Sequence, residues 1–484
     1  MNATRYGSTR GGPEDLSCAD IIFKTISEEN GGLYLPHEIP CFSEGAVEAM
    51  RGQPLPEVIY RVLILLGLSY NISAMELRKL CYDAYKEFQT DENGDILPIK
   101  HFAENGYIAN FHFGLTQAFK DYALAVVGKI VEYLLAQQGK YGSNPVATSG
   151  DTGPAGQANV ASDRVNVTVL YPHGGTSGGQ ERQMVFFSSD KNTQAYAIDG
   201  ESFDGCQSMI RSVFDDVDFK NEMLQQDKVI FAANSINWLR IAVQIGYEFY
   251  LSLKPEFKNI SDLTIVIPSG NFGSALAALY AKMMGAPITR VHMATNENDI
   301  LARVLATGCY NPQKTIETTS PAMDIGDPQN WERILHTFYG PEAVADWFKD
   351  GRSFRITEEL DGLQEILQAT SVSMAVVRET SLRFYAKYGF LLDPHSTTAV
   401  YVAESLISKN PQSAVLAHSS AHSSKFEEAV RDALSEDFSL ELLYRGISKK
   451  ALIPYQMSEA ELSSRRKIIT DISPEIVKNI LRQQ

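Results

Sequence analysis

The spacing of apolar and polar residues changes near residue 97. Upstream, apolar positions recur at helical intervals over 46–68 and 74–88, with breaks expected at Pro54 and Pro56 and a polar turn over 90–95. That pattern predicts a mostly helical N-terminal domain over 1–96. Its most apolar stretch, 58–68, carries Tyr60 and Arg61 and is too short to cross a bilayer, so it reads as a buried helix. Downstream, short β-branched runs alternate with amphipathic stretches. Strands are predicted over 165–171, 228–233, 264–268, 290–295 and 414–417, and helices over 122–137, 238–250, 274–284, 374–388 and 425–434. This alternation implies an α/β fold with parallel sheets and flanking helices, which binds ligands at the carboxyl ends of its strands. The expected divisions are 97–144 as the start of a large domain, 145–235 as a smaller α/β domain and 236–445 as the rest of the large one. A charged tail, 446–484, has an apolar patch at 468–480 that marks it as packed.

Composition narrows the partners. With 44% hydrophobic and 21% charged residues the chain reads as globular, and a formal net charge of −16 argues against nucleic acid as a partner. An anionic ligand must therefore be held by local devices. The five cysteines show no Cys-x-x-Cys pair, which predicts reduced thiols and no metal framework. Residues 1–12 contain no apolar stretch of signal-peptide length, and a cytoplasmic protein with no membrane contact is expected.

Four loops carry candidate chemistry. In Pro268-Ser269-Gly270-Asn271-Phe272-Gly273, a strand runs into two glycines and then a helix, so backbone N–H groups converge where the helix dipole is positive. Such a loop can cradle a phosphate, or it can be an ordinary turn. Lys120, in Ala118-Phe119-Lys120-Asp121, opens a strongly apolar helix where burial and the dipole both favour a neutral amine, as Schiff-base chemistry requires. The alternative is a solvated lysine paired with Asp121. Thr148-Ser149-Gly150-Asp151-Thr152-Gly153 can wrap a carboxylate or simply cap a helix. Finally, His418-Ser419-Ser420-Ala421-His422 leads from a strand through small hydroxyl residues. Its two histidines lack the further ligands a metal would need, and a hydroxyl there can face a ring nitrogen.

These segments, with Tyr6-Gly7-Ser8-Thr9-Arg10-Gly11, Gly31-Gly32-Leu33-Tyr34-Leu35-Pro36, Asn234-Ser235-Ile236-Asn237-Trp238 and Asp393-Pro394-His395, resemble the threonine synthases of bacteria and fungi nearly end to end. The resemblance implies pyridoxal 5′-phosphate (PLP) fold type II, similar to the tryptophan synthase β chain. It also implies PLP on Lys120, with Gly270, Asn271, Phe272 and Gly273 holding the cofactor phosphate and Ser420 facing the pyridine nitrogen. Ser149, Gly150, Asp151 and Thr152 would bind the substrate carboxylate, and Arg10 the substrate phosphate. The family converts O-phosphohomoserine, a small phosphorylated amino acid, to threonine and phosphate. A monomer or homodimer is expected.

Three places depart from the family pattern. Phe113-Gly114-Leu115-Thr116 stands where the family has His-Gly-Pro-Thr, and Ala421-His422-Ser423-Ser424-Lys425-Phe426 where it has Ala-His-Pro-Ala-Lys-Phe. Gly178-Gly179 replaces a proline and a bulky residue, which is expected to loosen a loop near the substrate. The departures keep open a diverged relative: a phospho-lyase giving a 2-oxo acid, or an enzyme of γ- or β-replacement with another nucleophile. A non-catalytic binding protein is the third reading, disfavoured by Lys120.

Overall fold

The computed structural model describes residues 4–27, 29–189, 191–349, 354–355, 360–435, 438–470 and 472–484. They form two compact units, each assembled from several stretches of chain. One comprises Met1–Tyr82, Thr90–Phe111 and Ser235–Ala421, the other Asp83–Gln89, His112–Asn234 and His422–Gln484.

The first unit is built on a six-stranded sheet in the order Leu367–Ser371, Arg290–Thr295, Leu263–Pro268, Ala414–Ser419, Gly106–Asn110, Ile99–Ala103. All neighbours are parallel except the last pair, which is an antiparallel hairpin. Its inner strands Arg290–Thr295, Leu263–Pro268 and Ala414–Ser419 are almost wholly buried, as a sheet covered on both faces requires. The N-terminal helices belong to this unit. The break expected near Pro54 and Pro56 falls between helices Glu44–Glu48 and Leu55–Leu65, and the prolines stand at the start of the second, where proline's missing N–H costs nothing. This helix lies against Trp238–Ser252 at Gly246, where an added Cβ would stand 2.9 Å from the Ile59 Cα.

The second unit holds a five-stranded, fully parallel sheet: Lys467–Ile469, Thr193–Ile198, Val165–Pro172, Tyr141–Ala147, Lys228–Ile230. The strand predicted over 228–233 stops at Ile230, and the Ala233 N–H donates instead to the Asn144 side chain, 3.2 Å away. The charged tail is structural. Lys467–Ile469 adds the edge strand, and Pro474–Gln483 buries Val477 and Leu481 in a cluster with Leu170, Ile198, Met209 and Phe219.

All five cysteines are unpaired. Burial pushes the Cys18 and Cys206 thiols up to about 12, so both are neutral at physiological pH. Among the described residues no helix is long and apolar enough to cross a membrane. The fully buried Leu481 gives the tail a measurable weight. Leu481→Ala should lower stability by about 2–4 kcal/mol, read from a lowered denaturation midpoint of the full-length chain, whereas Ile472→Ala, at an exposed position, should leave it unchanged.

Candidate active site

In the second unit, Lys120 opens the helix Lys120–Gln137 two residues earlier than predicted, and the whole residue is only 7% exposed. The turn before it is tightly specified. Thr116 donates its backbone N–H to Asp121 Oδ2 at 2.8 Å and its hydroxyl to Oδ1 at 2.7 Å, while Asn159 donates to Oδ1 from 2.8 Å. Burial pushes the Asp121 carboxyl up, and these donors, with the Lys425 charge, pull against that shift. Gly114 is required here, since a Cβ would fall 2.4 Å from the Asp121 Cβ. Gln117 holds φ of 60°, a left-handed backbone that a glutamine adopts only when its surroundings impose it.

The Lys120 ammonium position lies 3.1 Å from Asp151 Oδ2. Asp151 ends the loop after strand Tyr141–Ala147 and leads into helix Thr152–Asn159. Thr148 Oγ1 accepts the N–H groups of Gly150 and Gly153 at 3.0 and 3.2 Å, which curls the loop. Gly150, at φ 148°, leaves room for Gln180, whose Nε2 donates to Asp151 Oδ1 at 2.9 Å. Ser149 and Thr152 flank this carboxylate, half-buried.

A second lysine reaches the same carboxylate. Lys425 is fully buried, with its Nζ 3.3 Å from Asp151 Oδ1 and 2.9 Å from the Thr116 carbonyl, and it donates also to Gln183 Oε1. The helix predicted over 425–434 therefore begins only at Glu427. Ser423–Phe426 is a 3-10 turn that swings Lys425 inward. Gln183 Nε2 donates to the Thr116 carbonyl and to the Tyr455 hydroxyl, at 3.1 and 2.9 Å. No local pattern in the sequence marked Lys425, Gln183 or Tyr455 as members of this cluster.

The Gly178-Gly179 pair is not a loosened loop. It forms the first turn of helix Gly178–Phe187, closed by a capping box between Ser177 and Gln180. A Cβ on Gly179 would lie 2.9 Å from the Ser424 carbonyl oxygen and 3.1 Å from the Lys425 Cα, so the glycine lets this helix close onto the 424–425 backbone. Phe113 stacks on His112 with ring centroids 5.4 Å apart. His422 is tied into the structure through Ser424 Oγ and the Arg445 carbonyl, at 3.0 and 3.2 Å.

In the first unit, Gly270, Asn271, Phe272 and Gly273 join strand Leu263–Pro268 to helix Gly273–Met283, with Phe272 at φ 66°. The Asn271 side chain braces the loop, donating to Ser235 Oγ at 2.6 Å and accepting the Gln329 N–H at 2.7 Å. Asn330 donates to the Asn271 carbonyl at 3.0 Å and is itself held by Arg333. A Cβ on Gly270 would meet the Ala322 carbonyl at 2.7 Å, and Ser269 Oγ is buried with no hydrogen-bond partner among the described residues.

Ser420 follows strand Ala414–Ser419, and its N–H donates to Ser396 Oγ at 2.9 Å. Ser396 in turn donates to Asp393. His395 Nδ1 lies 2.8 Å from Asp393 Oδ1, and its Nε2 accepts the Ala322 N–H at 3.2 Å. The chain of bonds thus runs from Ser420 to the segment packed on Gly270. Arg10 donates to Glu332 at 3.2 and 3.3 Å and to the Asn30 carbonyl at 2.8 Å, and lies 3.7 Å above Phe348. That engagement supports a bracing role more than phosphate capture.

A family model described as the threonine synthase N terminus matches residues 5–85. The threonine synthase of Eremothecium gossypii is 32% identical over 518 aligned residues, spanning 99% of this chain and 98% of that protein. The crystal structure of threonine synthase from yeast matches with a TM-score of 0.88 at 30% identity, covering 99% of this chain and 98% of its own. The PLP-bound threonine synthase from Brucella melitensis matches with a TM-score of 0.85, also at 30% identity, over 99% of each chain.

The two adjacent glycines separate packing from flexibility. Gly179→Ala must push against backbone and should cost about 1–3 kcal/mol, whereas Gly178→Ala meets only the mobile end of Glu428 and should change stability by less than about 1 kcal/mol in equilibrium unfolding.

Proposed function

We propose that this chain, which belongs to the threonine synthase family, is a PLP-dependent lyase that converts O-phosphohomoserine and water to threonine and phosphate. The observation that carries the reading is the Lys120 amine, buried at the start of an apolar helix and hydrogen-bonded to Asp151. Both burial and the helix dipole disfavour the ammonium there, which favours a nucleophilic amine.

The remaining residues suit the cofactor. Gly270 to Gly273 would take its phosphate on backbone N–H groups at a helix start, helped by the unpartnered Ser269 hydroxyl. Ser420, its backbone fixed by Ser396, would offer a hydroxyl to the ring nitrogen. A neutral group there does not hold a proton on the ring as a carboxylate would. When bound, the cofactor withdraws electrons from the substrate's α-carbon, which eases proton loss at Cα and Cβ.

The chain's own groups do the rest. Lys120 would be the base that carries protons among Cα, Cβ and Cγ, its amine oriented by the hydrogen bond to Asp151 Oδ2. The Ser149, Gly150, Asp151 and Thr152 loop, curled onto Thr148 Oγ1 by the Gly150 and Gly153 N–H groups, would offer the Ser149 and Thr152 hydroxyls as donors to the substrate carboxylate. Arg10 would reach a substrate phosphate only by sharing its guanidinium with Glu332.

The diverged phospho-lyase reading retains one support, Phe113 in place of the family's histidine. Product analysis separates the two. Purified protein supplied with PLP and O-phosphohomoserine should release phosphate and threonine in equal amounts with no 2-oxobutyrate. Lys120→Ala should lose the yellow colour of the bound cofactor and at least about a thousandfold in turnover. Phosphate accompanied by 2-oxobutyrate in place of threonine would establish the lyase outcome instead.

A further inference from the structure

Two lysines and one carboxylate make an unequal trio in the second unit. Lys425 is 0% exposed, and the three groups around its Nζ are all acceptors: the Thr116 carbonyl, Gln183 Oε1 and Asp151 Oδ1. The orientation of Gln183 is settled by its other bonds, since its Nε2 donates to the Thr116 carbonyl and to the Tyr455 hydroxyl, which itself donates to Gln117 Oε1 at 3.2 Å. A neutral amine has two hydrogens and a lone pair, so against three acceptors it would set lone pair against lone pair. Only an ammonium satisfies the site.

The other titratable groups facing Lys425 reinforce this. Asp121, on the Lys120 helix, adds a nearby carboxyl, and burial pushes the Tyr455 hydroxyl up so that it stays neutral. Asp151 thus meets the Lys425 ammonium at Oδ1 before Lys120 is considered. A protonated Lys120 would be the surplus charge: its carboxylate partner is already matched, a second ammonium touches that same carboxylate, and the helix start beneath it is positive.

We propose that Lys425 is a positioning residue whose fixed charge neutralises Asp151, so that the Lys120 amine sheds its proton near neutral pH and is ready to attack the cofactor aldehyde. The role rests on the functional reading above only in naming that aldehyde. Attack forms the N–C bond, and the aldehyde oxygen leaves as water.

The test reads Lys120 itself. Full-length chain without added cofactor is pulsed with acetic anhydride across a pH series, and acetylation of Lys120 is followed by quantitative peptide mass spectrometry. The wild-type midpoint should lie below about 9, against about 10.4 for an ordinary lysine. Lys425→Met and Lys425→Gln should each raise it by about 1–2 pH units, because Lys120 would then own the carboxylate. Their rate of PLP incorporation at neutral pH should drop at least about tenfold for each such unit. Removing both charges, in Lys425→Met with Asp151→Asn, should return the midpoint close to that of the wild type, an effect that mere loss of packing cannot produce.

A wild-type midpoint near that of ordinary lysines overturns the proposal whether or not the variants fold. So does a midpoint unmoved by both Lys425 variants, or a double variant that stays as high as the single. Borohydride reduction of wild type with PLP checks the functional reading separately. If no cofactor is fixed on Lys120, that reading fails while the acetylation result still decides the role of Lys425.

Discussion

A carboxylate removed from water must be matched by charge and by hydrogen bonds at both oxygens, because each buried ion otherwise costs several kcal/mol. Asp151 imposes that demand on the second unit. Its Oδ1 is met by Gln180 and Lys425 and its Oδ2 by Lys120. Each partner must then be held in turn. Gln180 can point inward because its own Oε1 accepts the Ser177 N–H in the capping box, so a helix start and a charge site are built from one amide. Gly150 and Gly179 are small because Gln180 and the Lys425 backbone have to come close. The glycine pattern therefore follows from the electrostatics.

The first unit solves a different problem by a different route. A chain with a formal charge of −16 has no general attraction for anions, so the phosphate proposed for its glycine loop has to be held locally. The solution is to hold the loop from behind: Asn271 faces Ser235 and Gln329, and Asn330 and Arg333 grip the loop carbonyl and its neighbours. Carbonyls and side-chain amides are thereby turned toward protein. What remains at the helix start is a set of N–H groups, so the phosphate proposed there would be held by dipoles in place of a lysine or arginine.

Much of this was legible in the sequence, and the parts that were not share a cause. Alternating strands and helices announced the parallel sheets, because strands buried on both faces read as continuous apolar runs. The strand-to-helix loops at Gly270 and Asp151 were visible as glycines and hydroxyls after such runs. The break near Pro54 and Pro56 was legible too, because proline is tolerated in a first turn and not beyond it, which keeps Glu44–Glu48 and Leu55–Leu65 as separate helices. The Gly178-Gly179 pair looked permissive because a sequence records the missing side chain and not the backbone that occupies its place. Lys425, in a run of serines before an amphipathic helix, has the local signature of a surface residue. Its burial depends on Asp151, Thr116 and Gln183, all hundreds of residues away along the chain.

That distance also explains why the departures from the family pattern leave the cluster around Asp151 in place. Of the substituted positions, Phe113 contributes a ring against His112, Gly179 gives access to the Ser424 and Lys425 backbone, and Ser424 shares a hydrogen bond with His422. The described partners of Asp151, namely Gln180, Lys425 and Lys120, are not among the substituted positions. A serine pair in place of proline and alanine before Lys425 still closes a 3-10 turn, because the His422 side chain accepts the Ser424 N–H and supplies the restraint a proline ring would give. The turn that delivers Lys425 can therefore differ in sequence while the Thr116 carbonyl, Gln183 Oε1 and Asp151 Oδ1 still surround its Nζ.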